Sequence, residues 1–276
     1  MKTVFIGAGS MAESLLAGAL RNGALSKENI YMTNRTNKTR LVELQQKYDI
    51  NISYDDETLL NGAEIVILAM KPKDVAPALK VLKAFISENT LIISVLAGIS
   101  IHYIEDTLEF KGGIVRAMPN TSATIGKSAT GIAFNDGVTH KKLNLVLSLF
   151  NSIGMTAIIE EEKLDIVTAL SGSGPAYFYY IVEVLLKTAE EMGLDQSLAK
   201  PLLVQTLLGA GEMLATSGQE AKTLRENVTS PGGTTEAGLL ALEKNHVNRA
   251  LYECLHEAAK QSKCLRELYQ SQANAK

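Results

Sequence analysis

Short apolar runs recur along the first 160 residues, separated by longer segments whose apolar positions return every three or four residues. The runs at 3–6, 30–33, 65–69, 91–95, 113–118, 129–134 and 156–159 are rich in β-branched residues and bounded by Gly, Asn or Pro, so they are predicted strands. The segments at 11–22, 38–48, 75–86 and 141–153 carry a helical period. Strand–helix alternation argues for an α/β region: a doubly wound, mostly parallel sheet with helices on both faces.

The pattern changes near residue 160, at the charged step Glu160-Glu161-Glu162-Lys163, which reads as a solvated helix start. Beyond it the strand signals stop, and 164–170, 176–192, 197–216, 220–227, 236–245 and 247–270 are all predicted helices. The expected organisation is an α/β domain over 1–160 and an all-α domain over 161–276. Two helical stretches, 176–186 and 201–211, are apolar or aromatic around most of their circumference. A helix that is apolar all round must be buried all round. A helical domain of this length cannot easily bury two of them alone, so a homodimer packed through these helices is expected.

Composition narrows the picture further. Hydrophobic residues make up 46% of the chain, but aromatics only 5% and Trp is absent, so the core must be aliphatic. A net charge of −3 supplies no field for nucleic acid or an acidic membrane surface, and neither is an expected partner. Cys254 and Cys264 lie ten residues apart in a helical pattern. On a straight helix that separation is roughly 15 Å, too far for a disulfide. Reduced thiols point to the cytoplasm. The apolar run before Gly7 is too short for an export signal. The apolar-rich stretch 175–186 is interrupted by Glu183 and falls short of a membrane span. The expectation is a soluble chain. No His, Cys or Asp cluster has metal-ligand spacing, so no metal is expected.

The first candidate chemistry lies at Gly7-Ala8-Gly9-Ser10-Met11-Ala12, between a predicted strand and a predicted helix. That is the setting of a dinucleotide fingerprint: Gly7 makes the turn, Gly9 lets the pyrophosphate approach, and a small third residue lets helix and strand pack. The second strand ends Thr33-Asn34-Arg35-Thr36, without the Asp or Glu that accepts from an NAD ribose. Arg35 can meet a 2′-phosphate, and Asn34 and Thr36 can donate to it. NADPH is therefore the expected cofactor, with NADH weaker. Ala69-Met70-Lys71-Pro72 closes a later strand, and Arg116-Ala117-Met118-Pro119-Asn120-Thr121 closes another. Carboxyl ends of strands line the ligand crevice of such sheets, which makes Ala69, Met70, Lys71, Pro72 and Asn120 candidates there.

A second candidate lies at Val228-Thr229-Ser230-Pro231-Gly232-Gly233-Thr234-Thr235, a tight turn opening onto the helical pattern of 236–243. Helix N-termini present free N–H groups and partial positive charge, so they hold small anions. Two anion sites of different kinds suggest an enzyme that brings a cofactor to a small carboxylate.

Taken together, these motifs resemble the pyrroline-5-carboxylate reductases over nearly the whole chain. The resemblance rests on Ile6-Gly7-Ala8-Gly9-Ser10-Met11-Ala12-Glu13, Ala69-Met70-Lys71-Pro72, Met118-Pro119-Asn120-Thr121, Ser171-Gly172-Ser173-Gly174-Pro175-Ala176-Tyr177 and the 228–235 stretch. It implies a Rossmann domain followed by a helical dimerisation domain, and NAD(P)H-dependent reduction of 1-pyrroline-5-carboxylate to proline. It also implies that the substrate carboxylate sits on Ser230 and the backbone of Gly232, Gly233 and Thr234. The Thr235 hydroxyl would then face the ring nitrogen, and Ser171 and Gly172 would frame the pocket. Family members interleave their helical domains, so a partner's helices complete each cofactor site, and assemblies such as decamers occur.

One departure is Ser122, where the family usually has proline. Its loss is expected to loosen a loop near the nicotinamide. Asp55 falls where the family often has Asn near the adenine. The chemistry needs a hydride and a proton on nitrogen but no strong acid, because a protonated iminium is already electrophilic. In keeping with that, His102, His140, His246 and His256 lie outside every motif. Two other readings predict different chemistry. A β-hydroxyacid dehydrogenase needs a helix-borne lysine beside its substrate glycines, and Lys163, Lys187 and Lys200 have no such setting. A non-catalytic NADPH-sensing regulator needs the first loop but not the second anion site.

Overall fold

The computed structural model describes residues 1–274. Eight strands form one sheet: β1 (Thr3–Ile6), β2 (Ile30–Thr33), β3 (Asn51–Ile52), β4 (Ile65–Leu68), β5 (Leu91–Ser94), β6 (Gly113–Met118), β7 (Ser128–Phe134) and β8 (Gly154–Ile158). Their order is β3-β2-β1-β4-β5-β6-β7-β8. Every neighbouring pair is parallel except β6 and β7. The helices with the sheet are α1 (Ser10–Arg21), α2 (Lys38–Tyr48), α3 (Asp56–Leu60), α4 (Val75–Leu82), α5 (Ile101–Leu108) and α6 (His140–Asn151). Six more follow: α7 (Leu164–Val167), α8 (Gly174–Glu191), α9 (Gln196–Thr216), α10 (Ala221–Asn227), α11 (Thr234–Lys244) and α12 (Val247–Asn274).

The sheet has a core on each face because successive strand residues point opposite ways. Phe5, Ile67, Ile93 and Val115 pack with the apolar stripes of α1, α2 and α6. Val4, Val66, Ile92 and Ile114 pack with those of α4 and α5. Central strands β4, β5 and β6 are buried along their whole length, which is why they read as unbroken apolar runs. α5 is not among the predicted helices, although Ile101, Ile104 and Leu108 mark one face and Ser100 caps it by accepting from Tyr103 N. β3 is also new; two residues are too few to show a period.

The chain forms two compact units, Met1–Pro175 with the chain from Glu257 onward, and Ala176–His256. Strands give way to helices after β8, and the first unit continues through Pro175. α7 belongs with the sheet, since Leu164 packs with Met118 and Ala133. Asp165, itself buried, accepts from Ser262 Oγ at 2.8 Å and from Arg266 Nε and Nη2 at 3.1 and 3.0 Å. That carboxylate fastens α12 to α7 within the first unit.

The second unit has a different character. Ala199 is its one buried residue among those described, while Phe178, Tyr180, Leu202 and Leu208 are each more than half exposed. The two apolar helices expected at 176–186 and 201–211 fall within α8 and α9, and most of their large apolar side chains are exposed.

Asp165→Ala leaves Arg266 without its carboxylate. We expect it to lower stability by about 2–4 kcal/mol. Urea unfolding checks this, and an unchanged midpoint would show that α12 does not depend on this ion pair.

Candidate cofactor cleft and substrate loop

At the carboxyl ends of β1, β2 and β4 lies a cleft of about 820 Å³. It sits where strand order reverses, the position at which open α/β sheets hold their ligands. The β1–α1 turn contributes Gly7, Gly9, Ser10 and Met11; the end of β2 contributes Asn34, Arg35 and Thr36; the end of β4 contributes Ala69, Met70 and Lys71.

Each glycine of the turn has its own reason. Gly7 has φ +123°, and a Cβ there would lie 2.4 Å from the backbone C and O of Ala69. Its N–H donates to Thr33 O at 2.9 Å, so one turn touches both β2 and β4. Gly9 is the N-cap of α1, with no side chain capping the helix and open space where a Cβ would stand. Free N–H groups at an uncovered helix start fit a pyrophosphate.

The turn is braced from behind. Glu13, in the first turn of α1, takes hydrogen bonds from Arg40 Nη2, Lys47 Nζ and Tyr48 Oη, the latter two at 2.9 Å. Arg40 Nε also donates to Ala8 O at 3.3 Å. Burial by itself would raise the Glu13 pKa; the bonds from Lys47, Arg40 and Tyr48 together outweigh it and hold the carboxyl at about 2.

At the end of β2 the three candidates have different surroundings. Asn34 is committed to the loop itself: Nδ2 donates to Asn37 O at 2.7 Å, and Oδ1 accepts from Asn37 N and from Tyr54 Oη, each at 2.9 Å. Arg35 is largely exposed and pairs with Asp74 Oδ1 at 2.5 Å. Thr36 lines the cleft. The cleft also takes in Arg40, Tyr54, Asp56, Lys73 and Asp74, which the sequence reading did not single out. Arg40 comes from α2, Asp56 from the start of α3, and the others from the segments after β3 and β4, whose only signal is their position in the chain. Asp55 is not among the lining residues; it caps α3 by accepting from Thr58 N at 2.8 Å.

Pro72 opens the single helical turn after Lys71 and does not line the cleft. Asn120 does not line it either. Its Nδ2 donates to Ser171 O at 3.0 Å and its Oδ1 accepts from Ser122 N at 3.1 Å. The second bond needs an N–H that proline lacks. Ser122 supplies that N–H and so ties the loop to the Asn120 side chain. Arg116, on the same strand end, is fully buried, and its Nη1 donates to Glu161 Oε1 at 3.1 Å. The same oxygen accepts from Ile101 N at 2.8 Å. Ser171 Oγ donates to Val167 O at 3.1 Å, and a Cβ added at Gly172 would stand 3.7 Å from the Met118 and Thr168 side chains.

The second candidate loop joins α10 to α11. Ser230-Pro231-Gly232-Gly233 closes with Gly233 N donating to Ser230 O at 3.0 Å, and Gly232 has φ +71°. Proline followed by a left-handed glycine is the chemistry of a type II turn. Glu236 reaches back and accepts from Gly232 N at 2.7 Å. Two of the backbone donors expected for a substrate carboxylate, Gly232 and Gly233, therefore have partners in the chain. Thr234 and Thr235 form the first turn of α11, which no side chain caps. Their N–H groups are those a helix start leaves free.

Residues 161–265 match the family described as pyrroline-5-carboxylate reductase dimerisation, and residues 2–98 match NADP oxidoreductase, coenzyme F420-dependent. Pyrroline-5-carboxylate reductase 1 of Bacillus subtilis is 46% identical over 266 residues, covering 96% of this chain and 90% of the relative. The chain belongs to the pyrroline-5-carboxylate reductase family. A pyrroline-5-carboxylate reductase structure from Coxiella burnetii matches with a TM-score of 0.88 and 35% identity, covering 96% of this chain and 98% of that one. A Plasmodium falciparum pyrroline carboxylate reductase structure with NADP bound matches with a TM-score of 0.85 and 31% identity over the same shares. The N-terminal sheet is of the Rossmann type, and the helices after it form the family's dimerisation domain. Among the described residues no group of three His, Cys, Asp or Glu side chains is placed to hold a metal, and no helix is long and apolar enough to cross a membrane.

Two outcomes are expected in this member of the reductase family. Gly7→Ala forces Cβ into the Ala69 backbone, and calorimetry is expected to show dinucleotide binding lost; retained affinity would mean the turn can shift. The Glu13 carboxyl has its pKa depressed, so its contribution is present above about 4.5 and is lost as pH falls towards about 2. Glu13→Gln should cost on the order of 2–3 kcal/mol at neutral pH, with the difference from wild type shrinking through that acid window. Denaturant unfolding at several pH values measures it.

Proposed function

We propose that this chain catalyses the NADPH-dependent reduction of 1-pyrroline-5-carboxylate to L-proline, forming a CH–NH bond from C=N, the last step of proline synthesis. The observation that best supports the cofactor choice is the end of β2, where Arg35 lines the cleft and no acid follows the strand. The relatives' names support the substrate.

When bound, NADPH supplies the hydride that goes to the imine carbon. The chain's own work is orientation, which holds the reacting carbons about 3–3.5 Å apart. The uncapped start of α1 receives the pyrophosphate. Arg35 meets the 2′-phosphate, and a charge-assisted bond of this kind contributes roughly 1.5–3 kcal/mol. The substrate carboxylate is held by Ser230 and the free N–H groups at the start of α11. The Thr235 hydroxyl positions the ring nitrogen, which carries the proton that completes the amine.

The same reading includes self-association as a homodimer or larger assembly. A unit in which Ala199 is the one buried residue among those described cannot hold its helices together by its own core, and the exposed faces of α8 and α9 supply what a second copy would cover.

Following NADPH oxidation with 1-pyrroline-5-carboxylate tests the assignment. Thr235→Ala is expected to lower kcat about 10- to 100-fold. Arg35→Asp is expected to weaken NADPH by about one to two decades and spare NADH. Tight NADPH binding with no imine reduction by wild type would sink the reductase reading. Equal loss of both dinucleotides in Arg35→Asp would refute the NADPH preference alone.

A further inference from the structure

Asp74 stands at the N-cap of α4, yet its side chain makes no capping bond. An aspartate in that position ordinarily accepts from the N–H groups two or three residues on. Here one of those donors is missing, because the third residue is Pro77. The carboxylate turns instead to Arg35, at 2.5 Å. Both partners line the same cleft, Arg35 from the end of β2 and Asp74 from the loop after β4. Asp74 is the more enclosed of the two, at 23% exposure against 71% for Arg35. The guanidinium is therefore the end of the pair more open to an incoming ligand.

We propose that Asp74 sets how strongly the chain prefers NADPH to NADH, by competing with the cofactor's 2′-phosphate for Arg35. The inference rests on the cofactor reading above, in which Arg35 receives that phosphate. A dianionic phosphate arriving at the end of β2 must draw the guanidinium away from Asp74, and it must also tolerate a carboxylate nearby. Both effects weaken NADPH. NADH brings only a neutral hydroxyl, so it meets neither. The released carboxylate stands at the N-cap of α4, two residues before Ala76. Lys71 and Lys73 also line the cleft and offset part of the negative charge, which keeps NADPH binding favourable while Asp74 moderates it.

The test is calorimetric binding of NADPH and of NADH to the full-length assembly, as wild type, Asp74→Asn, Arg35→Gln and the double variant. Asparagine caps helices as well as aspartate does, so the fold is kept, and thermal unfolding verifies it. Asp74→Asn should tighten NADPH about threefold to tenfold while NADH changes less than twofold. In the Arg35→Gln background the same substitution should have a smaller effect on NADPH, since the competition has been removed. If Asp74→Asn leaves NADPH affinity unchanged, or changes both dinucleotides alike, the proposal is overturned, and weakened NADPH in Arg35→Gln would leave the cofactor reading standing. If Arg35→Gln binds NADPH as tightly as wild type does, the assignment of Arg35 fails and the competition fails with it.

Discussion

The close approach of the β1–α1 turn to the end of β4 governs the geometry of the cofactor cleft. At Gly7 the Ala69 backbone occupies the place of a side chain. The turn's N–H bonds to the end of β2, and Ala69 N donates to Ile6 O at 2.9 Å. Three segments remote in sequence are thus locked within one or two residues of each other. Their carboxyl ends form the floor of the cleft, and α1 starts at its wall with its first N–H groups open. A larger residue at Gly7 would push β1 from β4 at the point where the strand order reverses.

Charge around this floor is arranged with some tension. Glu13 lies in the first turn of α1, where an acid favours the helix but would repel a phosphate. Arg40 and Lys47, brought by α2, bind its carboxylate and direct its charge away from the turn. Asp74 is compensated in a similar way, though by Arg35 alone, a guanidinium more exposed than Arg40. The network of several donors on Glu13 contributes to stability. The exposed pair of Arg35 is weak enough to be exchanged for a ligand.

The helical half follows a different logic. Its turn at 230–233 is determined locally, by a proline, a left-handed glycine and a glutamate that reaches back from α11. Its long helices are not self-sufficient, because their apolar faces outnumber what one chain can cover. The family's dimerisation domain is the answer to that imbalance, and the greasiness of α8 and α9 reflects packing requirements beyond the single chain.

Much of this was legible in the residues. Periodicity located seven of the eight strands and most helices, since each strand buried on both faces is a plain apolar run. The glycine spacing at 7–12 and the missing acid after Thr33 marked the cleft, because those features are consequences of local backbone geometry. What the sequence could not show was which side chains meet across distance. Asn34, at the end of β2, bonds its own loop and Tyr54; Arg116, in β6, is buried against Glu161; Asp74 drew no notice and faces Arg35. The two-residue β3 and the return of α12 to the first unit were likewise hidden. By itself, the sequence determined the element types, the cofactor turn and the family. Only the tertiary structure decided the pairing of polar groups, because hydrogen bonds and ion pairs depend on a few ångströms of placement that periodicity along the chain does not record.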